Sequence, residues 1–364
     1  MPEPSRILAL NCGSSSLKFG VYAGEKLLLE GEAEEIGLPE ATFWWKQTER
    51  QEKPQPIGDH PSAFELIRQV VEDAGLLQLD AVGHRVVHGG PKLRDHFPLT
   101  DATLQDLKDA IPFAPLHLPA SIAVIEAVSK QFGQMPQVIC LDTAFHKDMP
   151  DVSKTLPFSR QVREQGIERY GFHGLSVESI VAQFEHVPEH MVVAHLGNGS
   201  SITAVLRGKS VDTSMGLTPT GGVMMGTRCG DIDPGVFLYL VRRGMKADSL
   251  ESLADHESGL KGVSEKTSDV RELTKARGTD AKSDLALRMF AYQVKKAIAG
   301  MAAALGALDT LVFTGGIGEH AESLRKEICS GLGVLGKFEI KILPAREDLQ
   351  IARITGRIIG SGKY

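Results

Sequence analysis

The chain has 364 residues, of which 42% are hydrophobic and 24% charged; these proportions exclude a wholly disordered or fibrous protein, and the length predicts two domains. Its 40 lysines and arginines against 46 acidic residues leave a net charge of −6, which argues against a general nucleic-acid binder but permits a local cationic pocket. Cys12, Cys140, Cys229 and Cys329 form no C-x-x-C motif and are expected to be independent thiols in a cytoplasmic protein.

The start of the chain has one arginine and four apolar residues before Asn11, short of the apolar core of a signal peptide. Residues 7–10 (ILAL), the turn NCGSSS and the alternating run LKFGVYAG predict a β-hairpin. Residues 40–60 are polar and Pro-bearing and predict a surface hairpin or excursion. Helices are expected at 62–74 and 119–132, with strands at 81–87 (AVGHRVV) and 137–141 (QVICL). The segment 192–206 (VVAHLGNGSSITAVL) then repeats the pattern of the first hairpin. Laying Gly13-Ser14-Ser15 on Gly199-Ser200-Ser201 separates the two hairpins by half the chain. That spacing suggests a duplicated domain, although Gly-Ser turns also recur by chance. A helix at about 284–308, a strand at 310–313 and the turn TGGIGEH complete a βα alternation that predicts α/β layers. The apolar stretch 297–308 is too short to span a bilayer and reads as a buried helix, so no membrane association is expected.

Three Gly-rich turns follow apolar strands, at 11–16, 197–201 and 314–318. Successive glycine amides make a nest for an anion, so the trio points to phosphate, although each alone could be a hairpin turn. None is a P-loop and none is G-x-G-x-x-G. Lys18 lies just beyond the first turn. Arg85 stands inside an apolar strand, where a guanidinium needs an anionic partner. Arg228 lies among glycines with Asp231 and Asp233 nearby; an internal ion pair or a two-pronged clamp on a carboxylate or phosphate would explain it. Asp142 ends the strand QVICL, where α/β sheets place their sites, though an N-cap is equally compatible. Among 12 histidines, His84/His88 and His186/His190 have i, i+4 spacing without an H-E-x-x-H motif, so zinc is not expected.

Taken in order, NCGSSSLKF, GHRVVHGG, APLH, DTAFH, RYGFHG, AHLGNGSS, DTSMGLTPTGG, MMGTRCGDIDPG and FTGGIGEH span nearly the whole chain, and together they resemble the acetate kinase family. The resemblance implies two duplicated actin/hexokinase-like (ribonuclease H-like) α/β domains flanking a nucleotide cleft. Domain I would hold 1–147 and 350–364, and domain II 148–349. It implies a cytoplasmic homodimer that makes acetyl phosphate and ADP from acetate and ATP with Mg²⁺, or Mn²⁺ in its place. By the same resemblance Asp142, His173 and Arg228 are the catalytic residues. Arg85, Val87, Leu116, His117 and Pro219 would receive acetate. Lys18, His195, Leu196, Gly197, Asn198, Gly199, Asp269, Val270, Arg271, Gly316, Ile317, Gly318, Glu319 and His320 would hold the nucleotide, and Asn11 and Glu347 the metal. Acetate is already ionised at neutral pH and needs no general base. Asp142 is therefore expected to orient a cation, and its cationic neighbours to keep its pKa low.

The sequence departs from the family pattern at Leu118, Leu175 and Val177, which replace polar residues, and at His320, which replaces an asparagine. Two other readings stand beside acetate kinase: a propionate or butyrate kinase of the same family, and a non-catalytic nucleotide-binding switch.

Overall fold

The structure, a computed structural model, describes residues 5–361. It forms two compact units. The first comprises residues up to Lys147, Gly174–Ser179 and the chain from Arg346 onward; the second comprises Asp148–His173 and Ile180–Ala345. The expected boundaries left 174–179 and 346–349 in the second unit, and packing moves them. Leu175 and Leu349 are buried with Ile7, Ala9 and Val138 in one core of the first unit.

In the first unit, β1 (Arg6–Cys12), β2 (Leu17–Ala23), β3 (Lys26–Glu34), β4 (Thr42–Lys46), β5 (Arg50–Pro54), β6 (Ala81–Val86), β7 (Phe97–Pro98) and β8 (Gln137–Leu141) form one sheet in the order β5-β4-β3-β2-β1-β6-β8-β7. The polar stretch 40–60 is thus a hairpin, β4–β5, that extends the sheet edge. β1 alternates strictly. Leu8, Leu10 and Cys12 enter a core with Phe64, Ile67, Val124 and Val128 from helices His60–Asp73 and Leu118–Phe132. Ile7 and Ala9 face helix Glu347–Gly360 on the other side. A two-residue period thus buries both faces and leaves Asn11, at the strand end, on the face of the last helix.

The second unit contains β9 (His190–Leu196), β10 (Ser200–Leu206), β11 (Lys209–Thr213), β12 (Thr310–Thr314) and β13 (Glu339–Ile342), in the order β11-β10-β9-β12-β13. Three strands pair antiparallel, and β12 and β13 then continue parallel to β9. The segment β3-β2-β1-β6-β8 has the same order and directions, so the domain is duplicated. The residue overlay read from the Gly-Ser turns is displaced by two to three positions: Cys12 and Leu196 end the first strands, and Leu17 and Ser200 begin the second. Helix Ala281–Leu305 buries Leu287, Phe290, Val294 and Ile298 against Val192, Ala194 and Leu196 of β9. TGGIGEH is not a turn alone. Gly315 takes a left-handed φ of 78°, which permits an abrupt change of direction after β12, and Gly315–His320 then coils as a short helix. Among the described residues no helix is long and apolar enough to cross a membrane.

Candidate active site

Strand register assembles a row of polar side chains in the first unit. Glu32, Lys18, Asn11 and Arg85 are successive cross-strand partners on β3, β2, β1 and β6, so their side chains rise from one face in a single row. Arg85 donates Nε and Nη2 to Oδ2 of Asp142 at 2.9 and 2.6 Å, and Nη1 to the Cys12 carbonyl at 3.1 Å and to Asn11 Oδ1 at 3.4 Å. Asn11 Nδ2 in turn donates to Glu347 Oε2 and Asp348 Oδ1, both at 3.1 Å. Four of the five guanidinium N–H groups are therefore engaged. The anionic partner that Arg85 needs inside its strand is Asp142, because a buried guanidinium requires a carboxylate partner within the fold.

Asp142 is 2% exposed and Arg85 17%. Burial pushes the Asp142 carboxyl upward; Arg85 opposes the rise and Glu347 adds to it. The expected low pKa is therefore corrected: desolvation outweighs the cation. Burial also works against the charge of Arg85, but Asp142 and Glu347 outweigh it and hold the guanidinium more firmly protonated.

Two carboxyl groups near this row carry no expectation from sequence. Asp348 is driven up by burial, partly relieved by Asn11, with Glu347 raising it further. Glu32, 3.8 Å from Lys18 Nζ, is pushed up to about 7 by burial, with Lys18 opposing and Glu34 and Asp348 adding. The adjacent acidic pair Glu347-Asp348 at the start of a helix was the available signal for Asp348. Among the described residues no group of three or more His, Cys, Asp or Glu side chains converges as a metal cage. Glu347 and Asp348 nevertheless offer carboxyl oxygens whose mutual repulsion a divalent cation would relieve, and Asn11 adds an amide oxygen. This sparse set suits Mg²⁺, which keeps several waters.

The second unit gathers another cluster. His173 Nδ1 lies 3.0 Å from Ser201 Oγ, and its ring stacks on that of His195 with centroids 4.2 Å apart. A Cβ on Gly199 would lie 3.1 Å from His173 Nε2 and 3.4 Å from Arg228 Nη1, so these two nitrogens flank the bare α-carbon. Asp231 accepts from the Gly222 amide and Asp233 caps helix Pro234–Arg242. Arg228 Nε lies 3.9 Å from Asp255, and its Nη1 donates to the Pro219 carbonyl at 3.4 Å.

Beside this cluster, a pocket of about 1090 Å³ is lined by Gly197, Asn198, Asp269, Val270, Arg271, Gly316, Ile317 and His320, together with Gly226, Thr267, Ser268, Lys275, Ser323 and Lys326. Six expected nucleotide residues do not line it. Leu196 is wholly within the core. Gly318 packs toward the Ala194 carbonyl and Leu196. Glu319 Oε1 accepts from the amides of Gly315 and Ala345 at 3.0 and 3.3 Å. His195 and Gly199 belong to the His173 cluster, and Lys18 to the row of the first unit. On the first unit Val87 is buried, Leu116 is exposed, and His117 precedes helix Leu118–Phe132. The apolar departures have a structural reason, since Leu118, Leu175 and Val177 are all fully buried. His84 bonds Gln137, His190 bonds Asp309, and the four cysteines are unpaired.

The sequence profile of the acetokinase family matches residues 6–353. The chain belongs to the acetokinase family. Acetate kinase of Chromobacterium violaceum is 40% identical over 97% of this chain and 92% of its own. That of Deinococcus deserti is 44% identical over 90% and 86%. Among solved structures, the acetate kinase of Porphyromonas gingivalis superposes with a TM-score of 0.88 at 33% identity, covering 98% of this chain and all of the other. A propionate kinase from Francisella tularensis gives 0.91 at 36% identity, covering 96% and 98%. Membership in the acetokinase family makes this chain a phosphotransferase.

Proposed function

We propose that this chain is an acetate kinase that passes the terminal phosphoryl group of ATP directly to acetate, giving acetyl phosphate and ADP, with no phosphoenzyme. The observation that carries the reading is the buried Arg85–Asp142 pair beside the oxygen donors of Asn11, Glu347 and Asp348. Acetate accepts from the remaining Nη2–H of Arg85, with Val87, Leu116 and His117 of the same unit as its other candidate contacts. Asp142 holds the guanidinium and takes no proton, because acetate has none to give. Asn198 and Gly197 receive phosphates at one end of the large pocket, with His195 and Gly199 assisting. Asp269 to Arg271, Gly316, Ile317 and His320 hold the nucleoside. His173 and Arg228 donate to the transferring phosphoryl, where positioned charge contributes most. Asn11, Glu347 and Asp348 would hold Mg²⁺, or Mn²⁺, which would supply charge neutralisation on the phosphates.

Helix Pro234–Arg242 exposes Val236, Leu238, Tyr239 and Val241. These exposed apolar side chains support a homodimer, with sedimentation as twice the chain mass as its test. Unpaired cysteines support a cytoplasmic location.

The test of the activity is hydroxamate formation with ATP, Mg²⁺ and acetate or propionate. Acetate should be turned over with the higher kcat/KM. Propionate should be slower by about 10–200-fold, the discrimination available from one methylene. The likeness to a propionate kinase keeps the second acid in the assay; a higher kcat/KM on propionate reassigns the substrate.

A further inference from the structure

The duplicated domain places the second cluster on the same row of the sheet as the first. In the first sheet Asn11, one residue before the end of β1, pairs with Lys18 on β2 and Arg85 on β6. In the second sheet His195, one residue before the end of β9, pairs with Ser201 on β10 and Thr314 on β12. Ser201 therefore occupies in the second domain the place of Lys18 in the first, yet it is fully buried. A buried hydroxyl is costly unless paired, and Ser201 Oγ meets Nδ1 of His173 at 3.0 Å.

His173 is itself held in a costly conformation. Its φ is 57°, a left-handed backbone that is costly for a non-glycine residue and persists only where its surroundings enforce it. The His195 ring covers one face of the imidazole. Nε2 is directed past Gly199, where Arg228 Nη1 also arrives. A neutral imidazole carries one proton, and the group that donates to one ring nitrogen decides that the other keeps it.

We infer that Ser201 is a positioning residue for phosphoryl transfer: its hydroxyl donates to Nδ1 of His173 and keeps the imidazole proton on Nε2, aimed with Arg228 at the space over Gly199. The inference rests on the proposed role of His173 at the phosphoryl group and adds what sets its tautomer.

Two measurements on the full-length protein test it. In ¹⁵N spectra at pH 8 the wild-type His173 should show a protonated Nε2 and an unprotonated Nδ1, and Ser201→Ala should shift His173 to a mixture of tautomers. In turnover, Ser201→Ala should lower kcat about ten-fold or more, the scale of losing a group that orients a functional histidine, and leave KM for ATP unchanged. In a His173→Gln background the same substitution should cost nothing further. An unaltered ¹⁵N pattern in Ser201→Ala, or an equal loss of kcat in the His173→Gln background, overturns the inference while leaving the role of His173 standing. A His173→Gln enzyme with full kcat overturns both.

Discussion

Arg85 places two of its hydrogen bonds on one oxygen of Asp142, at 2.9 and 2.6 Å, and so spends on the fold the edge that could have gripped a carboxylate ligand. The pair behaves as one unit. Removing either member leaves a buried charge without its partner, which typically costs about 3–5 kcal/mol.

Arg85→Leu should therefore lower the melting temperature as well as raise KM for acetate. Adding Asp142→Leu should restore most of the stability and none of the activity. Thermal melts and acetate kinetics on the single and double variants check this. A double variant no more stable than Arg85→Leu would show that the pair is not the source of the loss.

Glu32 gives a pH-dependent stability. Its carboxyl ionises near 4.5 when unperturbed and is pushed up to about 7 by burial. Between those values the unfolded chain has lost the proton and the folded chain keeps it, so stability falls as pH rises from 4.5 through 7. Glu32→Gln removes the titration. Its stability relative to wild type should rise between pH 5 and pH 8, by an amount on the order of 2 kcal/mol. The same difference at both pH values would remove Glu32 as the source.

Gly199→Ala tests the space between His173 and Arg228. The new Cβ would stand 3.1 Å from Nε2 and 3.4 Å from Nη1, in the place proposed for a phosphoryl oxygen. A kcat loss of about 10²-fold or more is expected, the scale of losing a preorganised donor, with little change in ADP affinity by calorimetry. An unimpaired kcat would vacate that site.

The sequence made the local features legible. The periods of ILAL, AVGHRVV and QVICL mark strands, and the repeated Gly-Ser hairpin marks the duplication. What depends on register was not legible. No spacing in the chain announces that Glu32, Lys18, Asn11 and Arg85 stand in one row, because they come from four strands. The same is true of Ser201 beneath His173. Leu118, Leu175 and Val177 read as lost polar contacts, but they are buried side chains; an apolar residue beside a motif does not say which way it points.

The most direct test of the account is the pH profile of kcat for wild type and Asp142→Asn. The account requires an ionised Asp142 holding Arg85. Wild-type kcat should fall only on the acid side, above the ordinary carboxylate range because burial raises this group. Asp142→Asn should be about 10²-fold slower and lack that limb. An alkaline fall in wild type that Asn abolishes would mean that the protonated carboxyl is the working form, as a general acid, and would contradict the account.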